Sequence, residues 1–105
     1  MQFDYIIIGA GSAGCVLANR LTNNNQNKVA LFEAGAPSDI WKVKMPLALL
    51  YTMHDPKYNW KYYSEPEPHL NNRRLFCPRG KMIGGSSAHN GMVFVRGNRN
   101  DYERW

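Results

Sequence analysis

A glycine-rich segment near the N-terminus, Gly9 to Gly14 (GAGSAG), has the residue types and spacing of a phosphate-binding turn. Its pattern is G-x-G-x-x-G, in which each glycine has a physical role. Gly9 permits a tight turn out of a strand, Gly11 lets the backbone approach a pyrophosphate, and Gly14 lets a helix pack against the sheet. The start of that helix adds amide donors and partial positive charge. The segment therefore predicts a dinucleotide site.

An acidic residue stands at the second position that such a site needs. Glu33 ends the apolar run Lys28 to Glu33 (KVALFE), nineteen residues after Gly14. A carboxylate there can accept hydrogen bonds from an adenosine ribose, and it would repel a 2′-phosphate. The sequence thus disfavours NADP but leaves NAD and FAD open, because both contain an ADP half.

A second glycine-rich segment, Arg79 to Met92 (RGKMIGGSSAHNGM), contains a glycine pair, a serine pair and a histidine. Residues 84–87 (GGSS) offer unencumbered amides and two hydroxyls, which suit either an anion-binding loop or an ordinary turn. Because the first loop accounts for only the ADP half of a dinucleotide, the second is a candidate for holding the other half.

The elements that must position these loops can be read from the apolar pattern. The runs at 3–8 and 28–33 predict strands, the first of them buried on both faces, and Ala13 to Thr22 has helical spacing. Strand, helix and strand form a βαβ unit of an α/β, Rossmann-like fold. A long irregular segment follows from Pro37 to Pro78, with a short helix predicted at 45–53. Trp60, Tyr62 and Tyr63 in this segment are expected to pack, or alternatively to face a substrate.

The end of the sequence predicts one more helical turn. Asn100 or Asp101 is a suitable N-cap, and Trp105 would lie at the end of the turn with little to pack against. Two strands and one crossover helix also leave apolar faces uncovered. We therefore expect an incomplete domain, the front of a longer protein, with an oligomer of mutually covering copies as the alternative.

Charge and composition exclude several classes. The net charge of +5 is dispersed without a run of like charges, which fits a solvated surface and a mild attraction for anions. A nucleic-acid-binding module ranks last because no groove-reading motif is present. Cys15 and Cys77 are too few for a disulfide framework, and no metal-ligand spacing occurs. The absence of a secretory or membrane-spanning pattern favours a cytoplasmic location.

Four segments together resemble the glucose–methanol–choline (GMC) oxidoreductases: DYIIIGAGSAGCVLANRL, LFEAG, NWKYYSEPEPHLNNR and PRGKMIGGSSAHNGMVFVRGNRNDYERW. The last is the most specific, and it is most similar to choline dehydrogenase-like members. The resemblance implies an N-terminal FAD-binding fold in an enzyme that oxidises primary alcohols, with hydride passing from CH–OH to flavin N5. It also implies a substrate domain and a catalytic histidine pair outside residues 1–105, so no catalytic residue and no turnover are expected here.

The same resemblance implies which residues contact FAD. The pyrophosphate is expected along the first loop, at Gly9, Gly11, Ser12, Ala13 and Gly14, and the adenosine ribose at Glu33. The ribityl and pyrophosphate portion is expected along the second loop, including Arg79, Gly84, Gly85, Ser86 and Ser87. The backbone near the isoalloxazine ring is expected to come from Asn90, Gly91 and Met92.

His89 departs from the commonest family pattern, which has a branched aliphatic residue four positions after Gly85. A histidine at this spacing resembles members that link a ring nitrogen covalently to the flavin 8α carbon. A neutral imidazole is a competent nucleophile near neutral pH. The alternative is a histidine that packs locally beside non-covalent FAD, and the sequence leaves both open.

The expected partners are a small-molecule alcohol and an unidentified electron acceptor. Another flavoprotein with two dinucleotide folds would share the first loop but should lack PRGKMIGGSS. An NAD-dependent oxidoreductase would also share that loop, but the purified protein would be colourless.

Overall fold

The first part of the chain is a strand, a helix and a strand. A computed structural model describes residues 1–105, and in it β1 spans Tyr5–Ile8, α1 Ser12–Thr22 and β2 Val29–Phe32. The two strands pair in parallel, with each residue of β1 opposite the residue 24 positions later, as in the pairs Tyr5↔Val29 and Ile8↔Phe32. The predicted Rossmann-like βαβ unit is confirmed, with strands somewhat shorter than their apolar runs.

The predicted burial of β1 on both faces is wrong for these residues. Ile6 is 64% exposed and Ile8 81% exposed. A sheet of two strands with one helix against it has too little material to cover two faces. The buried apolar residues are Ala30 in β2 and four residues of the first glycine loop, the irregular segment and the second glycine-rich segment: Ala10, Ala48, Tyr58 and Met82.

The segment predicted to be irregular contains two short helices. α2 spans Trp41–Lys44, and α3 spans Leu49–His54. Between them Pro46 begins a 3₁₀ turn, where its missing N–H and fixed φ are tolerated. The helix predicted at 45–53 is thus present, split into a 3₁₀ turn and α3.

A small antiparallel sheet was not predicted in this segment. β3 (Tyr62–Tyr63) pairs with β4 (Phe76–Cys77), and single bridges extend the pairing on both sides, at Asn59↔Gly80 and Glu67↔Arg73. Strands of two residues are too short to show an alternating pattern. Residues 59–80 thus form a paired arm. It brings residues 78–80 back beside residues 58–60.

The end of the arm places the second glycine loop beside the βαβ unit. The Lys81 amide donates to the Tyr58 carbonyl at 2.8 Å, and the Ile83 amide donates to the Ala36 carbonyl at 3.1 Å. Between them Met82 is fully buried and forms a parallel bridge with Ala36. The loop at 84–87 therefore starts from an anchored segment, residues 81–83, beside the end of β2.

The last helix begins earlier than predicted. α4 spans Arg99–Glu103, and its N-cap is Asn98, whose side chain accepts the Asn100 amide. The predicted caps, Asn100 and Asp101, lie inside the helix because Asn98 already supplies the capping oxygen. Trp105 is 97% exposed.

The whole molecule is extended. Its radius of gyration is 17.8 Å, against roughly 13 Å for a compact domain of this length. None of its helices has both the length and the apolar character needed to cross a bilayer.

Candidate cofactor-binding site

The first glycine loop links β1 to α1, and its last glycine packs tightly against its first. Gly9 has a φ of +97°, and its amide donates to the Phe32 carbonyl at 2.7 Å. A Cβ on Gly14 would lie 1.9 Å from the Gly9 carbonyl oxygen, so only glycine lets α1 start this close to the strand. The structure therefore gives Gly9 and Gly14 the turn and packing roles predicted from the sequence.

The same loop leaves a set of backbone donors free. The amides of Gly11, Ser12, Ala13 and Gly14 donate to no acceptor in the chain, and they open the eleven-residue helix α1. A Cβ added at Gly9 or Gly11 would meet no atom within 4 Å. Free amides, the positive end of a helix and open space are the features that hold a phosphate group. These residues fit a pyrophosphate.

Glu33 lies between the end of β2 and the first loop. One carboxylate oxygen accepts the Ala10 amide and the other accepts the Gly35 amide, each at 2.8 Å. Because a carboxylate has about four acceptor positions, one on each oxygen stays available for a ribose hydroxyl. The position of Glu33 fits the predicted ribose contact. The two hydrogen bonds that it accepts from backbone amides were not predicted.

The second glycine loop lies directly against the first. The Gly84 amide donates to the Ala10 carbonyl at 2.7 Å, and the hydroxyls of Ser12 and Ser87 are 2.5 Å apart. Gly85 has a φ of +57°, and a Cβ there would approach the Gly11 Cα to 2.9 Å. The two loops touch and form one surface, and their contact with opposite parts of a dinucleotide stays a prediction.

A groove of about 980 Å³ runs along this surface. The first loop, the end of β2, and residues of the second loop line it, including Gly85 and Ser86. Glu33 is its only acidic residue and Arg79 its only cationic one. A dinucleotide ligand needs this combination of an apolar wall, free amides and a few polar groups.

Two aromatic residues of the arm face the same groove. Trp60 and Tyr62 both line it, with their rings nearly parallel at a centroid distance of 5.9 Å. Lys81 places its ammonium 4.8 Å from the Trp60 ring centroid. The pair therefore belongs to the wall of the cofactor groove, a position that neither sequence alternative had anticipated.

A smaller cavity of about 200 Å³ adjoins the groove. The two share Arg79, Gly80 and Ser86, so these residues form the ridge between them. The smaller cavity also contains His89 and Gly91. A long ligand that starts at the first loop can thus cross this ridge toward His89.

His89 lies against the chain through both ring nitrogens. The Thr52 hydroxyl donates to the Leu49 carbonyl at 3.0 Å, and its oxygen lies 3.4 Å from His89 Nε2. The other ring nitrogen, Nδ1, is buried. Burial lowers the pKa of His89, and the Tyr58 carbonyl only partly opposes this. The ring is therefore neutral near pH 7.

The residues expected near the isoalloxazine ring form an exposed turn. The Met92 amide donates to the Asn90 side chain at 2.7 Å, and Met92 has a φ of +57°. Gly91 lines the smaller cavity, whereas Asn90 and Met92 line neither it nor the groove. Their contact with the flavin ring stays a prediction.

Three residues support the site in a way that the sequence analysis did not predict. The Oδ1 of buried Asn59 accepts the amides of Lys61 and Arg79, at 2.7 and 3.1 Å, which fixes the start of the second segment. A Cβ on Gly80 would lie 2.4 Å from the Gly85 carbonyl, and one on Gly35 would lie 2.1 Å from Lys81. The glycines were visible signals, whereas nothing in the sequence distinguished Asn59.

Comparisons with known proteins agree with this geometry. A family model described as GMC oxidoreductase matches residues 3–105. An oxygen-dependent choline dehydrogenase from Sinorhizobium fredii is 56% identical over 105 residues, which are 100% of this chain and 19% of that protein. This chain thus spans about a fifth of the length of the curated relatives that it matches.

Solved structures give the same result. Pyridoxine 4-oxidase from Mesorbium loti is 34% identical, with a TM-score of 0.81 over 99% of this chain and 20% of that one. An FAD-dependent oxidoreductase from Chaetomium thermophilum is 31% identical, with a TM-score of 0.70 over 99% of this chain and 17% of that one.

Proposed function

The chain belongs to the GMC oxidoreductase family, and on that premise we propose that residues 1–105 are the N-terminal part of an FAD-binding domain in a flavin-dependent alcohol oxidoreductase. The contact between the two glycine loops carries the proposal. It joins four free amides of the first loop to a second loop of the same groove. A dinucleotide such as FAD needs a second surface beyond the one that holds its ADP half.

The residues of the groove have distinct roles in this proposal. The amides of Gly11 to Gly14 bind the pyrophosphate, and Glu33 accepts hydrogen bonds from the adenosine ribose. Arg79 and the hydroxyl of Ser86 lie where the groove meets the smaller cavity, which suits the ribityl portion. FAD, when bound, supplies a hydride acceptor at N5. The chain itself binds and orients, and we assign no catalytic base to it.

The test uses the full-length gene product. We expect it to absorb in the blue as purified, and the apoprotein to bind FAD far more tightly than NAD. A colourless protein that takes up NAD but no flavin would favour the NAD-dependent alternative and overturn the proposal. If the protein bound flavin but oxidised no alcohol, the alternative of another flavoprotein with two dinucleotide folds would be favoured.

A covalent bond between His89 and the flavin is the finer form of the proposal. It is supported by the neutral ring and by the position of His89 in the cavity that adjoins the groove. Mass spectrometry of the denatured protein would show an added mass of about one FAD, which a His89→Asn variant would lack. An unmodified mass in a yellow wild-type protein would leave His89 as a packing residue beside non-covalent FAD.

Choline is the first substrate to test, because the curated relatives are oxygen-dependent choline dehydrogenases. We expect the alcohol to reduce the bound flavin, and either oxygen or an added dye to reoxidise it. Pyridoxine is the matched comparison, since a solved relative is a pyridoxine 4-oxidase. Reduction by neither alcohol, with flavin bound, would limit the proposal to cofactor binding.

A further inference from the structure

We propose that Glu33 is a positioning residue that holds both glycine loops in their binding geometry, in addition to any contact with the ribose. The inference rests on the proposed function only for its effect on flavin affinity. Its structural part concerns hydrogen bonds that exist without a ligand.

Ala10 is the point at which the two loops are joined. It is 2% exposed, its amide donates to Glu33, and its carbonyl accepts the Gly84 amide at 2.7 Å. The Cys15 thiol donates to the same carbonyl at 3.2 Å. One residue therefore connects the end of β2, the first turn of α1 and the second glycine loop.

The other oxygen of Glu33 reaches the second loop by a separate route. It accepts the Gly35 amide at 2.8 Å, and the backbone of Gly35 lies against that of Lys81. The next residue, Ala36, bridges to Met82 and accepts the Ile83 amide. A single carboxylate thus ties the first loop to the segment that leads into the second.

The chemistry suits a positioning role. Hydrogen bonds from backbone amides to a carboxylate are stronger than those between neutral groups. The free amides of Gly11 to Gly14 do not hold the loop, because they have no partners in the chain. Without Glu33, the Ala10 amide would also lose its acceptor, although Ala10 is buried.

Hydrogen–deuterium exchange of the full-length gene product, free of flavin, tests the structural part. Glu33→Gln keeps the shape but replaces one acceptor oxygen with a donor. We expect exchange to rise roughly tenfold or more at Gly9 and Ala10, whose amides are hydrogen-bonded, and also at 82–87. Exchange at residues 5–8 and 29–32 should not change in this variant. In the control Glu65→Gln, which changes an exposed carboxylate, exchange should match the wild type throughout the protein. Unchanged exchange at 82–87 would overturn the proposal.

A second measurement uses only the wild-type protein and tests the proposal even if Glu33→Gln does not fold. In labelled wild-type protein, the Ala10 amide nitrogen should show a scalar coupling across the hydrogen bond to the Glu33 carboxyl carbon. Its absence under conditions that show the backbone couplings of β1 and β2 would overturn the proposal.

Binding of two flavins separates positioning from ribose contact. Glu33→Gln should weaken the binding of the 2′-deoxyadenosine analogue as well as the binding of FAD, because both ligands depend on the loops. If the variant bound the analogue as well as the wild type does, Glu33 would act on the ribose alone. If no flavin bound to either protein, the proposed function would fail, while the exchange result would stand.

Discussion

The two glycine loops solve the same problem by different means. Both place glycine in the left-handed region, at Gly9 with φ of +97° and at Gly84 with +91°. The first is set by the strand and helix that directly flank it. The second is flanked by no long element, and its position depends on bridges and hydrogen bonds to residues far away in the chain, such as Ala36 and Ala10. A binding surface can thus combine a locally encoded half with one that forms only after the chain has folded.

The loops also differ in chemistry. The first contains no ionisable side chain and offers backbone amides. The second is flanked by Arg79 and His89, so it contributes charge, hydroxyls and a titratable ring. We therefore expect changes in the first loop to act through shape, and changes in the second to act also through electrostatics. Five predictions test this contrast, beginning with the largest effect.

Gly14→Ala should have the largest effect, because its Cβ would overlap the Gly9 carbonyl of the same loop. We expect the free energy of unfolding to fall by about 3 kcal/mol, measured by urea denaturation. Ala13→Gly, at the neighbouring exposed position, is the control and should cost no more than about 1 kcal/mol. A Gly14→Ala protein as stable as this control would contradict the tight start of α1.

Gly85→Ala should have the next largest effect, on the second loop. Its φ of +57° and the 2.9 Å approach to Gly11 both oppose a side chain. We expect a loss of about 2 kcal/mol in unfolding free energy and faster proteolysis near residue 85. Gly91→Ala is the matched control, since its Cβ would make only ordinary contacts of 3.5 Å or more. Equal stability of the two variants would contradict the packing of one loop on the other.

Gly11→Ala should separate binding from folding. Its Cβ would meet nothing in the chain but would fill the space beside the free amides. We expect the stability of the apoprotein to change by less than about 1 kcal/mol, and the affinity for FAD to fall by at least about tenfold. Fluorescence titration with FAD measures the affinity. Undiminished binding would show that the ligand does not approach the first loop here.

The second loop should respond to pH through His89. Because burial lowers the pKa of His89 from its ordinary value of 6.5, the unfolded chain takes up a proton more readily than the folded one. Unfolding free energy should therefore fall as the pH drops below about 6.5. The variant His89→Asn should lose this contribution, whereas His69→Asn, which changes an exposed histidine, should keep it. The same pH slope in all three proteins would contradict a buried neutral His89.

The smallest effect should come from the exposed hydroxyl pair. Ser12→Ala and Ser87→Ala each remove one partner of a hydrogen bond that spans 75 residues. We expect a coupling free energy below about 1 kcal/mol in a double-mutant cycle. Additive effects within error would show that the loops are held by backbone contacts such as Gly84 to Ala10 alone.

The sequence predicted much of the βαβ unit and the residues of the first loop. β1, α1, β2 and the short helix after Pro46 were found close to their predicted bounds, because apolar spacing and turn residues are local signals. The antiparallel pairing of β3 with β4 was missed, since two-residue strands carry no period. Asn98 is the N-cap in place of the predicted residues, because three good capping residues, Asn98, Asn100 and Asp101, stand close together.

The residues themselves determined the family and the first loop, because a tight turn, a close helix and an acidic strand end are specified by neighbours in sequence. Only the tertiary structure decided that the second loop touches the first, that Glu33 binds the Ala10 amide, and that Trp60 and Tyr62 face the groove. Those facts depend on contacts between residues 23 or more positions apart. No local propensity selects such partners, and they are fixed only when the arm at 59–80 pairs and buried Met82 docks beside Ala36.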